Sequence, residues 1–379
     1  MTTIANETLP SPSRDVSRAS LSGVDVLPKL DSGVLVIGGG QAGLAAAHAL
    51  TAAGIDFLIV DAYSSAGESW RRRYDALTLF TPRAMSGLPG LPLDGDPEGY
   101  ATKDEFADYL SRYRVAAGYP LAFDTKIVSL RKSGDIFEAF ASDARRFVAR
   151  AVIVATGAFQ NPRLPEIAGK LGDGVCQIDV SEFRSGFSVK QGPVLVIGDG
   201  ASGRDVAIAL STTHEVALAK GRPRKLLPEK VLGMSTWWWL KTLGLLRAAP
   251  DSAIGRRMRA ADPFPRRGND DGSLERKGVV LRPRLTSVYD GKAVFKDGSS
   301  MVPKTVIWAT GYFDDFHWIE IEGATGSDGQ ALHAGGVSPV PGLYFVGRPW
   351  QRNRSSGLIM GMGEDAAFVV QQLASGPGR

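Results

Sequence analysis

Apolar positions in this chain fall into short unbroken runs, and twice such a run ends in a glycine cluster that opens a stretch of small residues. The first run is Val34-Leu35-Val36-Ile37, followed by Gly38-Gly39-Gly40-Gln41-Ala42-Gly43 and an alanine- and leucine-rich stretch ending near Gly54. Four consecutive β-formers predict a strand buried on both faces, as in a parallel sheet, and the stretch after the glycines predicts a helix. Phe57-Leu58-Ile59-Val60 predicts the next strand, which ends at Asp61. About 160 residues on, the pattern returns as Val194-Leu195-Val196-Ile197, Gly198-Asp199-Gly200-Ala201-Ser202-Gly203, a helix and the strand Glu215-Val216-Ala217-Leu218. Between the repeats, residues 66–99 are loop-rich, 103–110 resume a helical period, and 127–130, 136–141 and 147–154 read as strands. Breakers at 162–192 mark a crossing between domains. The last third predicts strands at 278–281, 285–289, 293–296, 305–309 and 343–347, hairpin turns at Asp290-Gly291 and Asp297-Gly298, and a closing helix at 364–373.

Each glycine of a strand, G-x-G-x-x-G, helix unit has its own task. Gly38 and Gly198 permit the tight turn, Gly40 and Gly200 leave room for a pyrophosphate, and Gly43 and Gly203 let the helix lie close to the strand. Free N–H groups at the helix start, at Gln41-Ala42 and Ala201-Ser202, then face the phosphates. Two dinucleotides are implied. Asp61 stands where an acid holds a ribose hydroxyl. At the matching end of the second unit the chain supplies Lys220, Arg222, Arg224 and Lys225, with no acid between Val216 and Pro228. Cations there suit a 2′-phosphate, so the second nucleotide is expected to be NADPH. The strand-end turns Ala155-Thr156-Gly157 and Ala309-Thr310-Gly311 are further places where backbone comes close to a ligand.

Residues 231–247 are the most apolar stretch outside the strands and contain Trp237-Trp238-Trp239. Successive helical residues point about 100° apart, so the three indoles cannot share one core. A substrate-side wall or lid is expected there, with peripheral membrane contact as the weaker alternative; the stretch is too short and too interrupted to span a bilayer. Residues 256–276, polar and basic, read as a mobile excursion.

Composition narrows this further. The 379 residues are 44% apolar and 22% charged, which is ordinary for a globular chain of two or more domains. The net charge of +4 comes without an aromatic-interleaved basic stripe, so nucleic acid is not an expected partner. Cys176 is the lone cysteine and excludes a redox cysteine pair within the chain. Four scattered histidines offer no metal spacing. Residues 1–30 lack an apolar core and are expected to be a flexible tail, neither secretory signal nor anchor, of a cytoplasmic protein.

Taken with Gly67-Glu68-Ser69-Trp70, the stretch 77–82, Leu88-Pro89, Pro162, Pro165, Ser181-Glu182-Phe183 and Tyr312, these motifs resemble the flavin-containing monooxygenases. The resemblance spans 33–373 and is strongest to the compact group that includes plant indole-pyruvate monooxygenases and bacterial relatives. It implies an α/β fold of two Rossmann-like dinucleotide-binding domains, the second inserted in the first: FAD on 31–165 and 305–379, NADPH on 166–304. It implies FAD on Gly38, Gly40, Gln41, Ala42, Gly43, Asp61, Gly67, Trp70, Thr156, Gly157 and Gly347, with Gln351 at the flavin edge. NADPH would lie on Gly198, Gly200, Ala201, Ser202, Gly203, Lys220, Arg222, Arg224, Thr310 and Gly311. The implied reaction uses O2 and a small organic substrate, through a C4a-peroxyflavin, by N- or S-oxygenation or oxidation of a keto acid or ketone. The rival is an NADPH-dependent flavin reductase or oxidase passing electrons to a partner or producing H2O2. The oligomeric state is open, a homodimer included. The family usually has a histidine in its linker where this chain has Asp179, which makes Asp179 a candidate, with Gln351, for influence on catalysis.

Overall fold

The structure, a computed structural model, describes residues 33–224, 226–261 and 263–376. The tail 1–30 and Lys225 lie outside the described residues.

Two five-stranded parallel sheets organise the chain. In the first, the order is Leu343–Phe345, Ala151–Val154, Val34–Ile37, Phe57–Val60 and Leu121–Ala122; in the second it is Val280–Arg282, Val216–Ala219, Val194–Ile197, Thr305–Trp308 and Cys176–Asp179. Alternate residues of each strand face opposite sides, so one strand serves two cores. Val34 and Val36 pack against the helices Gln41–Ala52, Lys103–Ala117 and Met362–Ser375, while Leu35 and Ile37 pack against the antiparallel strands Ile127–Ser133, Ile136–Ala141 and Arg146–Ala149. The second unit repeats this layering. Val194 and Val196 meet the helix Ala201–Ser211, and Leu195 and Ile197 meet Ala293 and Phe295 of a three-stranded antiparallel sheet. Buried on both faces, the central strands need apolar residues at every position, and the runs of four supply them.

Three expectations need correction. The expected strand 147–154 is two: Arg146–Ala149 belongs to the antiparallel layer and Ala151–Val154 to the parallel sheet, with Arg150 N–H donating to Gly33 O between them. Thr305–Trp308, assigned above to the returning part of the first domain, pairs with Val194–Ile197, so the second unit extends past residue 305. The excursion 256–276 is built structure. It holds the helices Ala253–Ala261 and Asp271–Arg276 and the strand Phe264–Pro265, which pairs with Leu226–Leu227. Asp270 caps the second helix by accepting from Ser273 N–H at 3.2 Å, and Leu274 enters the core beside Val206 and Leu210.

The chain leaves the first unit near Asn161–Pro162 and returns at Tyr312–Phe313, and these two segments pair antiparallel. Arg163 N–H donates to Gly311 O at 2.8 Å, and the Thr310 hydroxyl donates to Arg163 O. Tyr74, from the loop-rich insertion, donates its hydroxyl to Asp205 Oδ2 on the helix Ala201–Ser211 at 3.2 Å, tying the units together a second time.

The stretch 231–247 supplies a third tie. Trp237 is 2% exposed, stacks on Phe80 and donates its indole N–H to Phe80 O at 2.7 Å, within a cluster that includes Leu246 and Leu358. Trp238 and Trp239 diverge from it and meet edge to face.

Candidate functional site: two glycine loops

Both loops use glycine for the same three contacts. A side chain at Gly38, where φ is +110°, would come within 2.5 Å of Ala155 O, and one at Gly198, where φ is +104°, within 2.3 Å of Ala309 O. The two Ala-Thr-Gly turns therefore press directly on the loops. At Gly43 and Gly203 a Cβ would lie 1.8 Å from the carbonyl of Gly38 and of Gly198 respectively, so any larger residue forces helix and loop apart. Gly40 has nothing within 4 Å and Gly200 only the tip of Arg224 at 4.0 Å. At both positions a Cβ would fill open space beside the start of a helix, which is the cradle a pyrophosphate requires.

Around the first loop the structure gathers most of the residues named from sequence. Asp61 Oδ2 accepts from Gly39 N–H at 2.5 Å and Oδ1 from Tyr63 N–H at 2.8 Å. Burial pushes its carboxyl up, against these two backbone donors. Trp70 donates its indole N–H to Gln41 Oε1 at 3.1 Å, and a side chain at Gly347 would lie 2.8 Å from Ala42 Cβ. Gly67 has a scaffold role, since a Cβ there would meet Ala107 O at 2.5 Å. Thr156 Oγ1 accepts from Gln160, and Gly157 O accepts from Arg348 at 2.7 Å.

Two further candidates, Gln351 and Asp179, make hydrogen bonds within the chain. Gln351, 4% exposed, accepts from Arg348 N–H at 3.2 Å and donates to Gly335 O at 3.2 Å, which engages both ends of its amide. Asp179 Oδ1 accepts from the N–H of Ser181 at 2.8 Å and from its hydroxyl, so the carboxylate caps the turn after the edge strand. Sequence reasoning missed Arg348, a buried cation that pairs with Asp314 and lies over Phe316 at 5.2 Å, bracing the crossing strands. Its signal was slight: one arginine after Gly347 in an apolar strand end.

The second loop differs in charge. Lys220 Nζ lies 2.5 Å from Asp271 Oδ2, an acid absent from the local sequence. Arg222 is exposed, and Arg224 reaches toward Gly200. Thr310 and Gly311 are fastened to Arg163 as described.

Asp365, 1% exposed at the start of the helix Met362–Ser375, has one carboxylate oxygen with no hydrogen-bond partner. Burial raises its pKa to about 6, against Ser356 and Arg352. The folded protein thus holds a proton that the unfolded chain releases near 3.8. This contribution to stability is full below 3.8 and is lost as pH rises through about 6. Urea unfolding across that window is expected to show the slope, and Asp365→Asn to flatten it.

Parallel sheets, paired glycine loops and a lone cysteine define an oxidoreductase that binds two dinucleotides and has no internal disulfide chemistry. Residues 35–227 match the model of the pyridine nucleotide-disulphide oxidoreductase family. The chain is 41% identical over 342 residues to an uncharacterized CzcO-like oxidoreductase of Geobacillus kaustophilus, covering 90% of this chain and 97% of that one. It is 29% identical to the indole-3-pyruvate monooxygenase YUCCA1 of Oryza sativa subsp. japonica, covering 90% and 91%. Among solved structures it superposes on a double mutant of a flavin monooxygenase from Stenotrophomonas maltophilia with TM-score 0.74 and 25% identity, covering 90% and 98%. The chain belongs to the pyridine nucleotide-disulphide oxidoreductase family, and over about nine-tenths of its length it is similar to flavin-dependent monooxygenases. No helix among the described residues is long and apolar enough to cross a membrane.

Proposed function

We propose that the chain transfers one oxygen atom from O2 to a small organic substrate, with FAD on the first glycine loop and NADPH on the second. The observation that carries the assignment of the two sites is their matching glycine geometry combined with opposite charge at the second strand's end, Asp61 in one and Lys220 in the other. A carboxylate accepts from a ribose hydroxyl, and a cation pairs with a 2′-phosphate. Flavin held at the first loop would supply the redox chemistry, hydride acceptance and O2 activation, that the side chains lack. The chain's own part is positional. Gly40 and Gly200 admit the pyrophosphates, Gln41 and Ala201 begin the helices whose N–H groups meet them, and Trp70 fixes the Gln41 amide. Each Ala-Thr-Gly turn is fastened beside its loop: Thr310 and Gly311 bond to Arg163, while Thr156 Oγ1 and Gly157 O accept from the Gln160 amide, whose oxygen accepts from Asp315 N–H. NADPH, O2, a proton and substrate thus give NADP+, water and the oxygenated product.

The test is a substrate panel with 18O2 and product mass. One labelled oxygen per NADPH consumed supports oxygen transfer; NADPH consumption that yields only H2O2 across the panel selects the reductase or oxidase. For the nucleotide, Arg222→Ala with Arg224→Ala is expected to raise the NADPH KM at least about tenfold while leaving the NADH KM nearly unchanged, since each charged hydrogen bond to phosphate contributes about 1.5–3 kcal/mol. Equal effects on both nucleotides place the phosphate elsewhere.

A further inference from the structure

The strand-end cation of the second unit, Lys220, stands within a wider set of charges. Lys220 follows Ala219 as Asp61 follows Val60, because Ile197 pairs with Ala219 in the register in which Ile37 pairs with Val60. In the first unit the strand-end Asp61 takes the loop N–H of Gly39; in the second the loop's own Asp199 takes the N–H of Gly221 at 2.9 Å. The carboxylate has moved from the strand end to the loop, and a cation stands at the strand end in its place. Asp199 and Arg204, each 3% exposed, lie 3.3 Å apart and neutralise one another. Arg204 also donates to Asp199 O at 3.0 Å and to Asn269 O at 2.9 Å, which holds it in place. Asp271 then bridges outward, with Oδ1 2.9 Å from Arg204 and Oδ2 2.5 Å from Lys220. The quartet holds two cations and two anions. Since the buried pair is balanced, the charge of Asp271 falls on Lys220, whose side chain is 37% exposed.

We propose that Asp271 is a specificity-determining residue that offsets Lys220 at the ribose edge of the second site and so limits the preference for a 2′-phosphate. The inference rests on NADPH being the nucleotide of that loop. A phosphate approaching Lys220 also approaches the Asp271 carboxylate, and repulsion from the anion cancels much of the attraction to the cation. A nucleotide without the phosphate meets neither. Removing the charge at Asp271 therefore acts on NADP+ alone.

The test is calorimetric titration of the FAD-loaded protein with NADP+ and NAD+ at low and high salt. Asp271→Asn is expected to tighten NADP+ binding up to about fivefold, the scale of a partly exposed ion pair, and to shift NAD+ by less than about twofold. The gain shrinks as salt screens it. Unchanged or weakened NADP+ binding overturns the role of Asp271. Should the Asn variant fold poorly, Lys220→Gln decides: a loss of NADP+ affinity below about threefold supports an offset lysine, whereas a loss above about tenfold means the lysine acts at full charge and overturns the proposal. A wild-type protein that binds NAD+ as tightly as NADP+ overturns the nucleotide assignment itself. A wild type that prefers NADP+, with an Asn variant of unshifted ratio, overturns only the present inference.

Discussion

Gly40→Glu is expected to yield a folded, colourless protein. The backbone at this position has φ of −76° and ψ of −170°, which any residue adopts, and a Cβ there meets no atom within 4 Å. Neither the backbone conformation nor the space at the Cβ resists the substitution. The glutamate instead occupies the pyrophosphate cradle and brings a negative charge to the helix start where two phosphates must sit, so FAD affinity is expected to fall by at least about a thousandfold, from lost N–H contacts plus like-charge repulsion. The check is the flavin-to-protein absorbance ratio beside the circular dichroism spectrum. Full flavin content in a natively folded variant would falsify the assignment of the first loop. Gly43 provides the contrast: its Cβ would stand 1.8 Å from Gly38 O, so Gly43→Val is expected to lose fold and flavin together.

Trp237→Ala is expected to destabilise the protein by about 3–5 kcal/mol, as for a large aromatic truncated in a core. The side chain is buried against Phe80 and Leu358, both from the first unit, and its indole N–H bonds across to Phe80 O. Truncation opens a cavity and leaves that carbonyl without its donor. Trp239, only partly buried and bonded to Val231 O within its own segment, serves as the control, with an expected cost below about 2 kcal/mol. Urea denaturation measures both. A small stability change with a raised substrate KM would instead return residue 237 to the wall or lid read from the sequence.

Much of the fold was legible because its causes are local. A run of four apolar β-formers before glycine has one comfortable environment, the centre of a parallel sheet, and both runs occupy it. The glycine loops were legible for the same reason: their contacts are made within a few residues or with the adjoining strand end. What escaped depends on pairing at a distance. Thr305–Trp308 has the composition of either sheet, and only its partner Val194–Ile197 decides which. The strand end at Lys220 reads as purely basic until Asp271, 51 residues on, folds back against it. Residues 256–276 look unstructured by composition, yet Leu274 in the core and the Asp270 cap suffice to order their second half. Arg348 escaped for a subtler reason: it directly follows Gly347, and nothing in the order of residues tells that its guanidinium turns inward to bond Gly157 O.

The pairing of Asn161–Pro162 with Tyr312–Phe313 makes the second unit a modular insert. Paired strands lie about 5 Å apart, so the chain departs and comes back at almost one point, as across a hairpin turn. Seen from the first unit, the whole nucleotide-binding excursion closes a gap that two residues could span. The cost of such an insertion to the host rises only with the logarithm of its length, which lets an entire second module be accommodated without disturbing the sheet that receives it.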